Sequence, residues 1–263
     1  MRTATQPRLD AAWRALRQWL GTTLLPAQCA LCGIGCPQVL CSPCRAQYLG
    51  QGRGQLRHRC RQCANPLADI EVALLCGRCV RHRPAYDATV TAFDYAAPVD
   101  QLLLQLKFGA RLALAPLFAQ LLCEAVRQQP DWERPQLLCP VPLGPARLAE
   151  RGFNQALEIA RPLARLLQVP LQPRLAQRLR DTRAQSSVAP QERQANLAQA
   201  FAIAPEHAPL LPGCHVGIVD DVMSSGHTVD ALAAACKRAG AARVSILVAA
   251  RTPPRQLADR LDY

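Results

Sequence analysis

The chain has 263 residues, of which 50% are hydrophobic, and a formal net charge of +12. This length supports one α/β domain and a smaller module, and the hydrophobic content excludes a disordered chain. No apolar run approaches the roughly 18 residues of a membrane-spanning helix, and charged residues interrupt the apolar stretch near the N-terminus, unlike a secretory signal. We therefore expect a cytoplasmic protein with reduced thiols.

The positive charge is concentrated at the start of the chain. Residues 1–85 contain 12 arginines and three acidic residues, whereas the remainder contains 19 basic and 16 acidic residues. A basic segment of this kind favours a phosphate-bearing or nucleic-acid partner. DNA or a DNA-processing protein is therefore a candidate partner, and solvated arginines are the simpler explanation.

The segment 1–25 contains Leu9, Trp13, Leu16 and Leu20 at helical spacing. This spacing predicts an amphipathic helix over 9–20. Packing against the rest of the protein is the simpler interpretation of its apolar face, and binding to a membrane surface is the alternative.

Four Cys-x-x-Cys pairs follow within residues 26–84, at Cys29/Cys32, Cys41/Cys44, Cys60/Cys63 and Cys76/Cys79. Two residues between thiolates let both sulfurs reach one ion at about 2.3 Å, and two such pairs complete a tetrahedral zinc site. A disulfide framework would need an oxidising compartment, and a redox role normally uses one pair. The pattern predicts two structural zinc ions in a double zinc ribbon.

The pairing of these motifs is open from sequence. Neighbouring pairs suit two successive ribbons, an interleaved arrangement is the alternative, and Cys36 could replace one ligand of the first site. We expect the module to fold by itself, so that Cys76→Ser would leave the following domain largely intact. The isolated cysteines are predicted to be buried free thiols: Cys123, Cys139, Cys214 and Cys236.

Residues 85–255 show strands that alternate with helices. The pattern predicts a strand at 88–95, helices at about 99–108 and 112–127, and a second strand beginning at Leu137. Lys107, at the end of the first helix, suits a solvated position and a phosphate ligand equally well. After the second strand, Gly144 and Pro145 make a turn, and Arg147 and Arg151 share a helical face that suits pyrophosphate.

The stretch at 217–228 reads Gly-Ile-Val-Asp-Asp-Val-Met-Ser-Ser-Gly-His-Thr. The β-branched run at 216–219 predicts a buried strand that ends at Asp220 and Asp221. An alanine-rich helix over about 228–239 and a strand over 244–249 come next. The unit is therefore βαβ.

Each part of this turn has a chemical use. The N–H groups that begin the helix can bind a phosphate, Gly226 allows close approach of the backbone, and Ser224, Ser225 and Thr228 add hydroxyl donors. Asp220 and Asp221 are acceptors for sugar hydroxyls or a metal-bound water. A P-loop lysine is missing, so a ribose phosphate fits better than a nucleoside triphosphate. An ordinary strand, polar turn and helix is the alternative.

These residues carry a family resemblance. Residues 218–228 closely resemble the phosphoribosyl pyrophosphate (PRPP) motif of type I phosphoribosyltransferases, with Ser224-Ser225 where a threonine pair is frequent. Pro-Val-Pro-Leu at 140–143 and Arg-Gly-Phe-Asn-Gln at 151–155 are typical of ComF proteins, which carry a cysteine-rich module in the same position. The resemblance covers 29–251, and Thr182 to Phe201 resembles the flap over the family's active site.

The resemblance implies a doubly wound, mainly parallel α/β sheet of the type I phosphoribosyltransferase kind, preceded by a small double zinc ribbon with four cysteines at each zinc. It implies a PRPP site with Mg²⁺, with Asp220 and Asp221 as candidate catalytic residues, and a link to competence. The candidate PRPP-binding residues are Lys107, Arg147, Arg151, Asp220, Asp221, Ser224, Ser225, Gly226, His227 and Thr228.

Two functions are consistent with these motifs. One is transfer of a phosphoribosyl group to a nitrogenous acceptor that the sequence does not identify. The other is a non-catalytic PRPP- or nucleotide-binding accessory factor that acts in DNA processing through its zinc module.

Overall fold

The structure is a computed structural model that describes residues 28–50, 58–67, 74–129, 131–179 and 200–253. The predicted helix at 9–20 and the flap up to residue 199 lie outside the described residues. The chain divides into two compact units, Met1–Gly50 and Gln51–Tyr263. The boundary predicted from the sequence, at residue 84, differs from this division. In the structure the second set of cysteines belongs to the larger unit.

The first unit contains one described helix, α1, at Ser42–Leu49. Before it, a tight turn is closed by an antiparallel bridge between Gln28 and Gly35. Pro43 lies in the first turn of α1, where its missing N–H leaves no intrahelical partner unsatisfied.

The larger unit contains a four-stranded parallel sheet in the order β1-β6-β5-β2 and an antiparallel pair, β3 and β4. The strands are β1 Ala88–Asp94, β2 Leu137–Pro140, β3 Ala176–Arg178, β4 Phe201–Ile203, β5 His215–Met223 and β6 Arg243–Arg251. The helices are α2 Gly77–Arg81, α3 Asp100–Phe108, α4 Leu114–Arg127, α5 Pro145–Arg151, α6 Gln155–Leu167 and α7 His227–Arg238, with a 3-10 helix at Pro205–Leu210. The predicted parallel α/β fold is confirmed.

The sheet is covered on both faces, which explains why its strands are apolar throughout. Residues 216, 218, 244, 246 and 248 lie in one buried cluster with apolar residues of α7. Because side chains alternate across a strand, the buried residues 219 and 247 face the opposite side. The four isolated thiols predicted to be buried are buried and free.

One predicted strand end is wrong. β5 does not stop at the two acids but continues to Met223, and its parallel pairing with β6 keeps the same register from His215–Arg243 to Met223–Arg251. The unbroken ladder means that Asp220 and Asp221 point to opposite faces of the sheet. Within the described residues, no helix combines the length and apolarity needed to cross a bilayer.

Candidate functional site

The eight cysteines of the four pairs form two tetrads from neighbouring pairs. The first tetrad is Cys29, Cys32, Cys41 and Cys44, the second is Cys60, Cys63, Cys76 and Cys79, and the sulfurs of each lie within 4.8 Å of one another. The interleaved arrangement is therefore wrong. Cys36 is outside the first tetrad, and its thiol donates to the carbonyl of Gln38 at 2.9 Å.

Both tetrads have the dimensions of a tetrahedral four-sulfur site. Zinc–sulfur bonds of about 2.3 Å place the sulfurs about 3.8 Å apart. Cys32 and Cys41 have an Sγ–Sγ distance of 3.7 Å, and Cys63 and Cys76 have one of 3.5 Å. The donor set is all-thiolate, which suits zinc.

The surroundings of the cysteines favour one thiolate in each tetrad. Burial raises the pKa of Cys29, but backbone N–H groups of Cys32 and Cys41 outweigh it and lower that pKa to about 6. The neighbouring thiol of Cys63 lowers the pKa of Cys60 to about 4. Metal binding requires the deprotonated form, so each tetrad offers a first ligand near neutral pH.

The second tetrad is attached to the edge of the parallel sheet. The backbone N–H of Thr89 in β1 donates to the carbonyl of Arg61 at 3.3 Å, and the Thr89 hydroxyl donates to the carbonyl of Gln62 at 2.6 Å. The Gln62 amide donates to the carbonyl of Tyr86 at 2.9 Å. These bonds cover the free edge of β1, so the turn that carries Cys60 and Cys63 is part of the domain.

Asp221 pairs with the lysine singled out from the sequence. Lys107 Nζ lies 3.1 Å from Asp221 Oδ2, and both side chains are largely buried. The contact lacks hydrogen-bond geometry, so Asp221 Oδ2 has no hydrogen-bond partner although it is buried. A buried carboxylate oxygen with unused acceptor capacity suits a hydroxyl group of a ligand.

Asp220 differs from its neighbour in its environment. Desolvation, followed by the charge of Asp221, raises the pKa of Asp220 well above its usual range, and the charge of Lys107 opposes this only in part. Asp220 Oδ1 accepts from the backbone N–H of Asp221 at 2.9 Å. Two acids in such different environments can take different roles at one site.

The turn at 224–228 leads into α7, and Gly226, the residue before the helix, has a left-handed backbone conformation. Gly226 has φ of +82°, and a Cβ there would lie 2.7 Å from Met223 Cε and 3.4 Å from the hydroxyl of Tyr86. Ser225 Oγ and His227 Nδ1 lie 3.1 Å apart on the exposed side. Only glycine fits at 226, and the free N–H groups of the first turn of α7 lie beside it.

The loop after β2 is built by the Arg-Gly-Phe-Asn-Gln motif. Gly152 ends α5 with φ of +74°. Asn154 caps α6, because its Oδ1 accepts from Ala156 N at 3.0 Å, and its amide donates to the carbonyl of Val141 at 3.0 Å. The motif therefore ties the start of α6 to the carboxyl end of β2.

Arg151 is brought to the end of α3. Its guanidinium carbon lies 5.1 Å from the centre of the Phe108 ring, within range of a cation–π contact. Phe108 follows Lys107 directly, so the loop after β2 and the ion pair with Asp221 lie next to each other. Arg147 lies on the exposed face of α5. Arg151 Nε and Gln155 Nε2 are buried donors without a hydrogen-bond partner.

The sequence patterns did not indicate Arg251, which ends β6 and is only 2% exposed. Its guanidinium donates to the carbonyls of Cys63 at 2.9 Å and Met223 at 2.8 Å, and also to that of Ser224. An arginine at the end of an otherwise apolar strand is the signal that could have found it, since a buried charge at that place needs partners.

A model of the phosphoribosyl transferase domain matches residues 154–263. The DNA utilization protein YhgH of Salmonella typhimurium is 35% identical over 198 residues, which cover 73% of this chain and 84% of that protein. The chain belongs to the ComF family. A second relative, competence protein F of Haemophilus influenzae, is 28% identical over 220 residues, covering 81% of this chain and 90% of the relative.

Among solved structures, the purine phosphoribosyltransferase of Pyrococcus horikoshii matches 51% of this ComF-family chain and 70% of its own, with 21% identity and a TM-score of 0.30. The match to the model of the phosphoribosyl transferase domain begins at Asn154, the residue that caps α6. It includes β5, the turn at 224–228 and α7.

Proposed function

We propose that this ComF-family protein binds PRPP with Mg²⁺ at the carboxyl ends of β2 and β5. The observation that carries the proposal is the approach of Lys107 to Asp221, beside the pair formed by Arg151 and Phe108. Ligands of open parallel α/β sheets bind outside the carboxyl ends of the strands. The acids, the cations and the helix N-terminus near the ends of these strands support the proposal.

Each group has a role that matches its chemistry. The 5-phosphate binds the N–H groups and hydroxyls at the start of α7, including Ser224, Ser225 and Thr228. Asp221, and to a lesser extent Asp220, accept from the ribose hydroxyls. Arg151 has an unused buried donor for the pyrophosphate. Lys107 can exchange its ion pair with Asp221 for a pyrophosphate oxygen.

The reaction that these groups support is substitution at C1 of the ribose. A nitrogen atom of the acceptor forms the new bond to C1, the bond from C1 to the pyrophosphate oxygen breaks, and the acceptor nitrogen loses a proton to water. Pyrophosphate leaves with the bonding electron pair. Asp221, and Asp220 in its ionised form, stabilise the positive charge that develops on the ribose. Mg²⁺, when bound with the pyrophosphate, would offset the negative charge of the leaving group.

The tetrads bind one zinc ion each, as their sulfur distances support. Four thiolates around Zn²⁺ have a formal charge of −2, and the proposal requires reduced thiols, as in the cytoplasm. Metal analysis of protein purified without chelator should give two zinc ions per chain. One zinc per chain, or iron, contradicts the proposal.

An accessory role in DNA processing is the second candidate. Relatives named for DNA utilization and competence favour it. Basic side chains also lie close in sequence to cysteines of the second tetrad. Arg78 and Arg81 are in the last turn of α2, and Arg61 is exposed. Weak, salt-sensitive DNA binding without sequence preference is the expected result. Affinity that does not change between low and moderate salt contradicts it.

Calorimetric titration with PRPP and Mg²⁺ tests the site. Lys107→Met should weaken binding about tenfold or more, because it removes a charged partner of the pyrophosphate. Lys237→Met is the matched control: Lys237 is the other lysine of the chain and pairs with Asp87 at 2.8 Å. Equal affinity of both variants and the parent contradicts the assignment.

A pyrophosphate-release assay with a series of nucleobases then separates the two functions. Release that depends on one acceptor supports phosphoribosyl transfer. Binding of PRPP without release on any nucleobase supports the accessory role.

A further inference from the structure

Arg251 joins two parts of the larger unit that lie far apart in sequence. Its Nε donates to the carbonyl of Cys63 in the second tetrad at 2.9 Å. Its Nη1 donates to the carbonyls of Met223 and Thr252, both at 2.8 Å, and also to that of Ser224. One buried guanidinium thus contacts the turn that carries Cys60 and Cys63 and also the start of residues 223–228. We call residues 223–228 the phosphate turn.

These contacts set the direction of two donors in the phosphate turn. In a trans peptide the C=O and N–H groups point in opposite directions. Because the carbonyls of Met223 and Ser224 point toward Arg251, the N–H groups of Ser224 and Ser225 point away from it. The guanidinium therefore orients a pair of backbone donors outward, as an anion-binding turn requires.

A buried guanidinium needs a compensating negative charge nearby. Arg251 is only 2% exposed, and its Nε lies 2.9 Å from the carbonyl of Cys63, a member of the second tetrad. Within the described part of the chain, no carboxylate forms a salt bridge with Arg251. A metal-loaded tetrad, with its formal charge of −2, compensates for the buried cation, which a site of neutral thiols cannot do.

Side-chain packing also connects the second tetrad with the phosphate turn. Tyr86 and Met223 are buried in one cluster with Cys60, Cys63 and Cys79. Both side chains also contact the position that a Cβ of Gly226 would occupy. A change in the tetrad can therefore reach the phosphate turn through Arg251 and through this cluster.

We propose that Arg251 is a positioning residue through which the metal-loaded second tetrad holds the phosphate turn in its anion-binding conformation. Loss of metal from the second tetrad then weakens phosphoribosyl binding, and loss from the first tetrad does not. The affinity part of this inference rests on the proposed function. The conformational part does not.

Hydrogen exchange of two amides measures the conformation without any ligand. The N–H of Thr252 donates to Met223 O at 3.0 Å, and that of Asp230 donates to Gly226 O at 2.9 Å. In Arg251→Lys, which keeps the charge but not the forked donors, both amides should exchange at least about tenfold faster. The Val141 amide, bonded to Val219 O at 2.9 Å, should keep its rate as a marker of the sheet.

Arg243→Gln is the matched control, because Arg243 begins the same strand and pairs at the surface with Glu133 at 2.9 Å. It should change neither amide. Unchanged exchange in Arg251→Lys, or equal acceleration in Arg243→Gln, overturns the inference. Arg251→Gln is the stronger variant, and the lysine variant decides the test if the glutamine variant does not fold.

Cysteine variants test the role of the metal in the same way. Cys76→Ser and Cys32→Ser should each lose one zinc, but only Cys76→Ser should accelerate the amides of Thr252 and Asp230. In titrations with PRPP and Mg²⁺, Arg251→Lys should bind about tenfold more weakly than the parent. If the parent itself does not bind PRPP, the proposed function fails, while the exchange rates still decide the positioning role.

Discussion

The two cysteine tetrads are built alike but belong to different compact units. Each begins with a Cys-x-x-Cys turn closed by an antiparallel bridge and ends with a pair that opens a short helix. Even the fourth residue after the first cysteine has positive φ in both, +76° at Gly33 and +55° at Ala64. Similar local construction therefore says nothing about whether a metal site folds by itself.

What differs is the connection of each tetrad to the rest of its unit. The first lies in Met1–Gly50, whereas the second lies in Gln51–Tyr263 with the sheet. Arg59, beside the second tetrad, donates to Asp94 of β1 at 3.0 Å and to the carbonyl of Ala64 at 3.0 Å. The second tetrad shares its buried cluster with β5, β6 and α7. It is a component of the α/β core.

The largest expected effect separates the tetrads by stability. Structural zinc supplies about 10–16 kcal/mol in zinc-finger peptides. Cys76→Ser should therefore lower the thermal midpoint of the Gln51–Tyr263 unit by more than about 10 °C, whereas Cys32→Ser should leave it unchanged. Calorimetry with parallel zinc analysis measures both. Equal midpoints for the two variants would mean that the second tetrad folds as a module independent of the sheet.

This prediction replaces the one drawn from sequence alone, which had Cys76→Ser sparing the α/β domain. The spacing of the pairs determines how many tetrads form, because two short loops can each complete one site. It carries no information about Thr89, Gln62 and Tyr86, which attach the second tetrad to β1. Those contacts connect residues far apart in sequence and follow from the fold.

The same limit applies to the candidate site: its local features can be predicted from sequence, but its long-range contacts cannot. The strand, the acids and the turn at 224–228 can be predicted from the local sequence, because a short apolar run followed directly by acids, hydroxyl residues and glycine is typical of a ligand site at the end of a strand. The continuation of β5 past Asp221 cannot, because ladder length depends on β6, the partner strand. Arg251 was missed for a similar reason: its four carbonyl partners come from three separate segments.

The next effect tests the attachment of the second tetrad to the sheet. Arg59→Met should lower the free energy of unfolding of the larger unit by about 1–3 kcal/mol, because Asp94 loses a largely buried charged partner. Arg81→Met, at an exposed position at the end of α2, is the matched control and should change it little. Urea denaturation monitored by circular dichroism measures both variants. If they are indistinguishable, the ion pair contributes nothing to this attachment.

A smaller effect is expected on the other side of the same cluster, at the phosphate turn. Gly226→Ala places a methyl group 2.7 Å from Met223 Cε in a left-handed conformation, which costs about 1–2 kcal/mol. It should also weaken binding of PRPP, since the turn must move. Gly213→Ala has a similar φ of +73° but no atom within 4 Å of its Cβ, so it should destabilise the fold without changing the affinity for PRPP. Equal affinities in the two variants would separate the turn from ligand binding.

The smallest effect concerns charge at the end of β5, and it has the opposite sign. The pKa of Asp220 is raised in the folded protein by desolvation and by the charge of Asp221. The folded state therefore binds a proton more tightly than the unfolded state, and stability falls as pH rises from about 4 through the raised pKa. Asp220→Asn removes this penalty, so its midpoint at neutral pH should be higher by about 1–3 °C. The gain should vanish near pH 3, where both the folded and unfolded carboxyl groups are protonated.

The same variant distinguishes the two units. Only the transition of Gln51–Tyr263 should shift, and the zinc content of the first tetrad should stay the same. Asp131→Asn, at an exposed carboxylate 3.6 Å from Arg61, is the control and should have no stabilising effect at any pH. A gain in Asp220→Asn that persists at pH 3 would assign it to packing, because a neutral carboxyl group has no charge for the asparagine to remove.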